Sequence, residues 1–106
     1  MADNDPKKMI SRENDQRLGR SGASDTVTLT DANTEYTWDA PSGTKKIILK
    51  LRTFDADFSW GFATGELNLT VIAGTTGIID GVYLVDQTLY FSCTTAGKVV
   101  EILYFT

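Results

Sequence analysis

The sequence predicts an all-β protein: an antiparallel β-sandwich, jelly-roll-like, of about eight short strands, with an extended N-terminal arm. Three observations lead there. From Asp25 onward, β-branched and aromatic residues alternate with polar ones in short runs, the period of a half-buried strand. Gly, Pro, Asn and Asp punctuate those runs at close intervals, as turns between short strands require. No stretch between runs is long enough for the crossover that parallel strands need, and none repeats apolar residues at helical spacing.

Taken in order, Thr26–Thr30 sets Val27 and Leu29 on one face, and Asp31-Ala32-Asn33 reads as a turn. Glu35–Trp38 is a short strand with Tyr36 and Trp38 on one face. The run Asp39-Ala40-Pro41-Ser42-Gly43 then breaks it, Pro fitting a turn and Gly supplying positive φ. Lys45–Thr53 is the clearest amphipathic strand. Ile47, Leu49, Leu51 and Thr53 face inward, Lys46, Lys50 and Arg52 outward, with Ile48 the apolar exception among them.

After a turn at Asp55–Asp57, the residues Phe58, Trp60 and Phe62 share a face opposed by small residues. Glu66–Ile72 places Leu67, Leu69 and Val71 inward. Gly74–Gly77 is a loop, Ile78-Ile79 a short strand, Asp80-Gly81 a tight turn and Val82–Val85 a further strand. Thr88–Cys93 and Lys98–Thr106 flank Thr94-Thr95-Ala96-Gly97, which predicts a β-hairpin. On the last run Val100, Ile102 and Tyr104 form one face and Val99, Glu101, Leu103 and Phe105 the other. With only Glu101 interrupting the second face, that strand is expected to be covered on both sides. The sequence stops inside this run, so its end should be tied down within a sheet or against another subunit.

Residues 1–24 are of another kind, dense in Asp, Asn, Lys and Arg. They divide the chain into an extended arm, 1–24, and a β-sandwich domain, 25–106. Gly19, Gly22 and the neighbouring Ser residues read as a flexible joint. Five Lys/Arg face four acids in the arm, an excess of one positive charge, while five face ten in the body, giving the net −4 of the chain. Lys7, Lys8, Arg12, Arg17 and Arg20, with Met9, Ile10 and Leu18 as apolar anchors, suit an arm that orders on an acidic partner.

Composition narrows the chemistry. A chain of net charge −4 lacks the concentrated positive charge that nucleic acid demands. With no His, imidazole acid/base catalysis and His-ligated metals are excluded. The single Cys93 excludes an internal disulfide and, sharing a face with Leu89 and Phe91, is expected to be a buried, inert thiol. Nothing approaches the roughly 20 apolar residues of a membrane span. Asp55 and Asp57 are too few for calcium, which takes about six to eight oxygens. The other acids at turns, such as Asp31, Asp39, Asp80 and Asp86, are explained by backbone needs. Gly74-Thr75-Thr76-Gly77 lacks the Lys of a phosphate loop. We therefore expect no enzyme, no metal and no cofactor. Trp38, beside the Pro41 turn, is the one aromatic side chain placed to serve as an exposed glycan platform.

The C-terminal runs Thr88-Leu89-Tyr90-Phe91 and Ala96-Gly97-Lys98-Val99-Val100-Glu101-Ile102-Leu103-Tyr104-Phe105-Thr106 resemble small β-rich structural proteins of tailed bacteriophages. Thr26–Thr30, Asp31-Ala32-Asn33-Thr34-Glu35-Tyr36 and Pro41-Ser42-Gly43-Thr44-Lys45-Lys46-Ile47 are similar to that group too. The likeness covers the body and not the arm. It implies a non-enzymatic virion component made in the host cytoplasm: a capsid decoration (cement) protein, a head-fibre or tail component with receptor or glycan binding, or a neck connector. Of these, decoration best suits an arm that orders on a neighbour. The expected partners are the major capsid protein, held by the arm, and further copies of the chain, with a trimer favoured and Val99, Leu103 and Phe105 at the subunit contact.

Overall fold

A computed structural model describes residues 22–106. The eight strands among them are β1 (Gly22–Leu29), β2 (Tyr36–Asp39), β3 (Lys46–Leu51), β4 (Phe58–Gly61), β5 (Leu69–Val71), β6 (Gly77–Ile79), β7 (Thr88–Cys93) and β8 (Lys98–Phe105). Pairing follows a simple rule. β1 pairs with β8, β2 with β7, β3 with β6 and β4 with β5, all antiparallel, as if one long hairpin had been drawn from the two halves of the chain. That ribbon is then rolled so that β8 also pairs with β3, and β7 with β4. Two four-stranded sheets result, β1-β8-β3-β6 (sheet A) and β2-β7-β4-β5 (sheet B). This is a jelly roll.

The period-two pattern sends one side of each sheet into a shared core. From sheet A come Leu29, Val100, Ile102, Ile47, Leu49, Leu51 and Ile79; from sheet B, Trp38, Leu89, Phe91, Cys93, Phe58, Trp60 and Val71. The Phe58 and Phe91 rings meet at the centre, tilted 55° to each other with 6.2 Å between centroids. At one end of the roll, Leu84 closes the gap between layers through a single antiparallel bridge to the buried Thr44. There the Leu84 N–H donates to the Thr44 carbonyl at 2.9 Å and the Gly43 N–H to the Leu84 carbonyl at 2.8 Å. The turn into β3 uses Gly43 at φ 91° as its second central residue, with Thr44 N–H donating to the Pro41 carbonyl, so Pro41 opens the turn instead of occupying a central position.

Several expectations give way. β7 and β8 do not form a hairpin: they lie in opposite sheets, and Thr94–Gly97 is an arch between layers. A short loop ending in a positive-φ Gly serves either geometry, and here the Gly97 N–H donates to the Leu29 carbonyl, extending the β1–β8 ladder of sheet A into the arch. Gly22, Ala23 and Ser24 belong to β1, paired opposite Phe105, Tyr104 and Leu103, and not to a joint. Val82–Val85 is no strand, only the one bridge at Leu84. β3 ends at Leu51, where Phe54 N–H closes a turn on the Leu51 carbonyl, and Thr53 is exposed. Phe62 and Leu69 are about half exposed, 41% and 49%, because the chain leaves β4 at Gly61 and returns to sheet B only at Leu69.

Trp38 is the largest correction. It is 7% exposed, its ring packs against Tyr104 at 5.3 Å, and its indole Nε1–H donates to Asp25 Oδ2 at 3.0 Å. The indole plugs the side of the core between β1 and sheet B and offers no platform to a sugar. Trp38→Ala should therefore destabilise the fold by about 3–5 kcal/mol, read from urea unfolding. A change near zero would return Trp38 to the surface.

Candidate interaction face

The outer side of sheet A is where the amphipathic rule breaks down. Register aligns Leu103 of β8, Ile48 of β3 and Ile78 of β6 in one row across three neighbouring strands. Leu103 is 39% exposed and Ile78 61% exposed, so the row lies open to solvent. Phe105 and Val99 continue the same side of β8, both partly covered. Opposite Phe105, Gly22 comes so close that an added Cβ would stand 3.0 Å from the ring, which accounts for part of that cover. On β1 the outer positions carry only Gly22, Ser24, Thr26 and Thr28, so the sheet drops to a low shoulder there. The step creates a shallow groove of about 600 Å³ along Ser24, Thr26, Ile48, Lys50, Glu101 and Leu103.

Charge frames the apolar row. Glu101 accepts from Lys50 Nζ at 2.9 Å and from Arg52 Nε at 3.1 Å. Those two cations, Lys50 first, hold its carboxyl below the usual glutamate range. Lys50 Nζ also lies 4.8 Å from the centre of the Phe54 ring. Phe54 is 40% exposed at φ 55°, an uncommon conformation for a bulky residue. Lys46 stands opposite Phe105 and makes no ion pair among the described residues.

The outer side of sheet B is a different surface. The 62–68 loop doubles back over it, passing so close to Gly61 that an added Cβ would lie 2.1 Å from the Glu66 carbonyl oxygen. Glu35 pins the loop by accepting from Thr64 Oγ1 at 2.6 Å and from the Gly65 N–H at 2.9 Å. The Gly65 N–H first, then Thr64, draw the Glu35 carboxyl below its ordinary range. Beneath runs a polar groove of about 550 Å³ with Ser59 and Ser92 on its floor. Its acids already have structural tasks: Glu35 holds the loop, and Asp57 Oδ1 accepts from the Ala73 N–H at 2.6 Å.

Each site residue singled out in the sequence can now be placed. Val99, Leu103 and Phe105 do share the outer side of β8, next to Ile48, Ile78 and Phe54. Trp38 does not join them. Lys7, Lys8, Met9, Ile10, Arg12, Arg17, Leu18 and Arg20 lie outside the described residues. Cys93 is buried, 3% exposed, against the Asp57 carbonyl. Asp55 accepts from Lys98 Nζ at 2.8 Å and from Thr53 Oγ1; these two, Lys98 first, lower its pKa. Among the described residues no group of three or more Cys, Asp or Glu could hold a metal, and no helix is long and apolar enough to cross a membrane. Ile48 had a visible signal as the apolar exception on an outward face. Ile78 had none, since a three-residue strand shows no period.

Neither a known family model nor a curated protein matches this chain.

The three lowered carboxylates set a pH dependence. A group whose folded pKa lies below its unfolded value contributes stability above the unfolded value, lost as pH falls through the folded one. The thermal midpoint should be flat from neutrality to about pH 5 and fall below about pH 4, and Glu101→Gln should shrink the fall. All three groups are at the surface, so the effect is modest. A midpoint flat down to about pH 2.5 would contradict these contacts.

Proposed function

We propose that this protein is a non-enzymatic capsid decoration (cement) protein of a tailed bacteriophage, located on the virion. The observation that carries the reading is the open Leu103–Ile48–Ile78 row on the outer side of sheet A. A monomer gains nothing from presenting aligned apolar side chains to water, whereas a subunit contact buries them. The resemblance of the body to small β-rich phage proteins supplies the setting. The basic arm supplies the second contact, onto the major capsid protein, and a body that oligomerises multiplies it, because linked weak contacts bind together with high avidity. A trimer suits a threefold position on a shell. Nucleic acid and membrane are not partners in this reading.

Burial of Trp38 removes the observation on which a glycan-binding fibre or tail tip rested. Glu35 and Asp57, beside the polar groove of sheet B, are engaged with backbone and hydroxyl donors.

Because β1 begins at Gly22, the informative truncation removes residues 1–21 and leaves the strand whole. That variant should keep a cooperative melt within about 1 kcal/mol of the full chain, yet lose co-sedimentation with undecorated heads. Retention of binding equal to the full chain would remove the arm from the contact.

A further inference from the structure

We propose that copies of this chain join head to tail, the loop between β6 and β7 of one copy seated on the outer side of sheet A of the next. The inference rests on reading that side as a subunit contact and names what covers it.

Charge disfavours the simplest alternative, two sheet A faces pressed together. All five cations of the body, Lys45, Lys46, Lys50, Arg52 and Lys98, lie on or beside β3 and β8. Pressing two sheet A faces together would bring together two surfaces that each carry Lys46, Lys50 and Arg52 against a single Glu101, so like net charges would meet. The receiving face therefore wants a partner with apolar side chains flanked by acids.

This chain carries such an element. The β6–β7 loop reads Asp80-Gly81-Val82-Tyr83-Leu84-Val85-Asp86. Its Tyr83 is 68% and its Val85 57% exposed, among the most exposed large apolar side chains described. Leu84 between them is held by its two backbone hydrogen bonds to the Gly43–Thr44 turn and packs against the core. Alternation along an extended backbone then sends Tyr83 and Val85 the other way. Asp80 and Asp86 bracket the pair, Asp80 capping the Gly81 N–H at 2.8 Å and Asp86 turning the chain at φ 52°. The projecting pair is thus fixed before any partner arrives, which lowers the ordering cost of docking. Tyr83 and Val85 match the Leu103–Ile48–Ile78 row, and the two Asp match Lys46 and the net positive charge that Lys50 and Arg52 keep beside the single Glu101.

A contact between two different surfaces of the same chain repeats. It closes into a ring when the rotation allows, and otherwise grows into a filament.

Sedimentation velocity on the full chain tests this with two variants and their mixture. Tyr83→Lys with Val85→Lys spoils the loop, and Lys46→Glu with Ile78→Glu spoils the face without touching the Glu101 ion pairs. The unaltered chain should associate. Each variant alone should need at least about tenfold more protein to do so. An equimolar mixture should recover the original species, since an intact loop meets an intact face at one contact and Lys meets Glu at the next. Three results would overturn the proposal: an unaltered chain that stays monomeric, a loop variant that associates like the original, or a mixture that stays apart. All four positions are at least partly exposed, and a thermal melt checks that each variant folds. Tyr83→Ser and Ile78→Ser replace any double variant that does not fold, each with the same expected weakening. Shell binding is not measured here, so failure leaves the decoration reading to its own test.

Discussion

Everything in this molecule depends on β8 being paired along both edges. It takes eight partners from β1 and six from β3, so its backbone hydrogen-bonding groups are used on either side. That places the two-faced strand in the interior of sheet A and ties its apolar residues down. Val100 and Ile102 go to the core, and Val99, Leu103 and Phe105 are committed to the opposite side. A shift of one residue in either ladder would exchange the faces, leaving Val100 and Ile102 in water and Glu101 in the core. The core row Leu51, Val100 and Val27 specifies that register from three strands at once.

Strand existence was legible because period-two alternation is a local property, and β3 and β7 show it without ambiguity. Sheet membership was not. Thr94–Gly97 looks like a hairpin loop, yet among the consecutive strands only β4 and β5 pair with each other. Turn chemistry sets how the chain reverses, not whether it stays in one layer, and the choice is made by partners far away in sequence. The same blindness affected Trp38. Beside a Pro turn it reads as exposed, but Asp25 and Tyr104, which bury it, arrive from β1 and β8. Leu69 failed in the other direction, since alternation gives a facing but not the distance to the sheet's edge.

On the candidate face the sequence revealed the β8 side through an interruption, one Glu among apolar residues. The structure explains that interruption: Glu101 balances Lys50 and Arg52 on a sheet otherwise short of acids. Apart from Asp25 on β1, the remaining acids lie on β2 or in the loops, where Glu35 and Asp57 tie loop backbone to strand. The body therefore has one face that is apolar and basic and another that is polar and acidic. Such segregation favours an ordered, repeated contact over indiscriminate aggregation, because each face repels its own kind. It also fits the proposed task of a protein added in many equivalent copies to a larger surface.

Imaging of virions carrying a labelled copy of this chain bears most directly on that task. Decoration predicts label at regularly repeated positions over the head, in clusters that follow the symmetry of the shell. Label confined to the tail or neck, or missing from the particle, would contradict it.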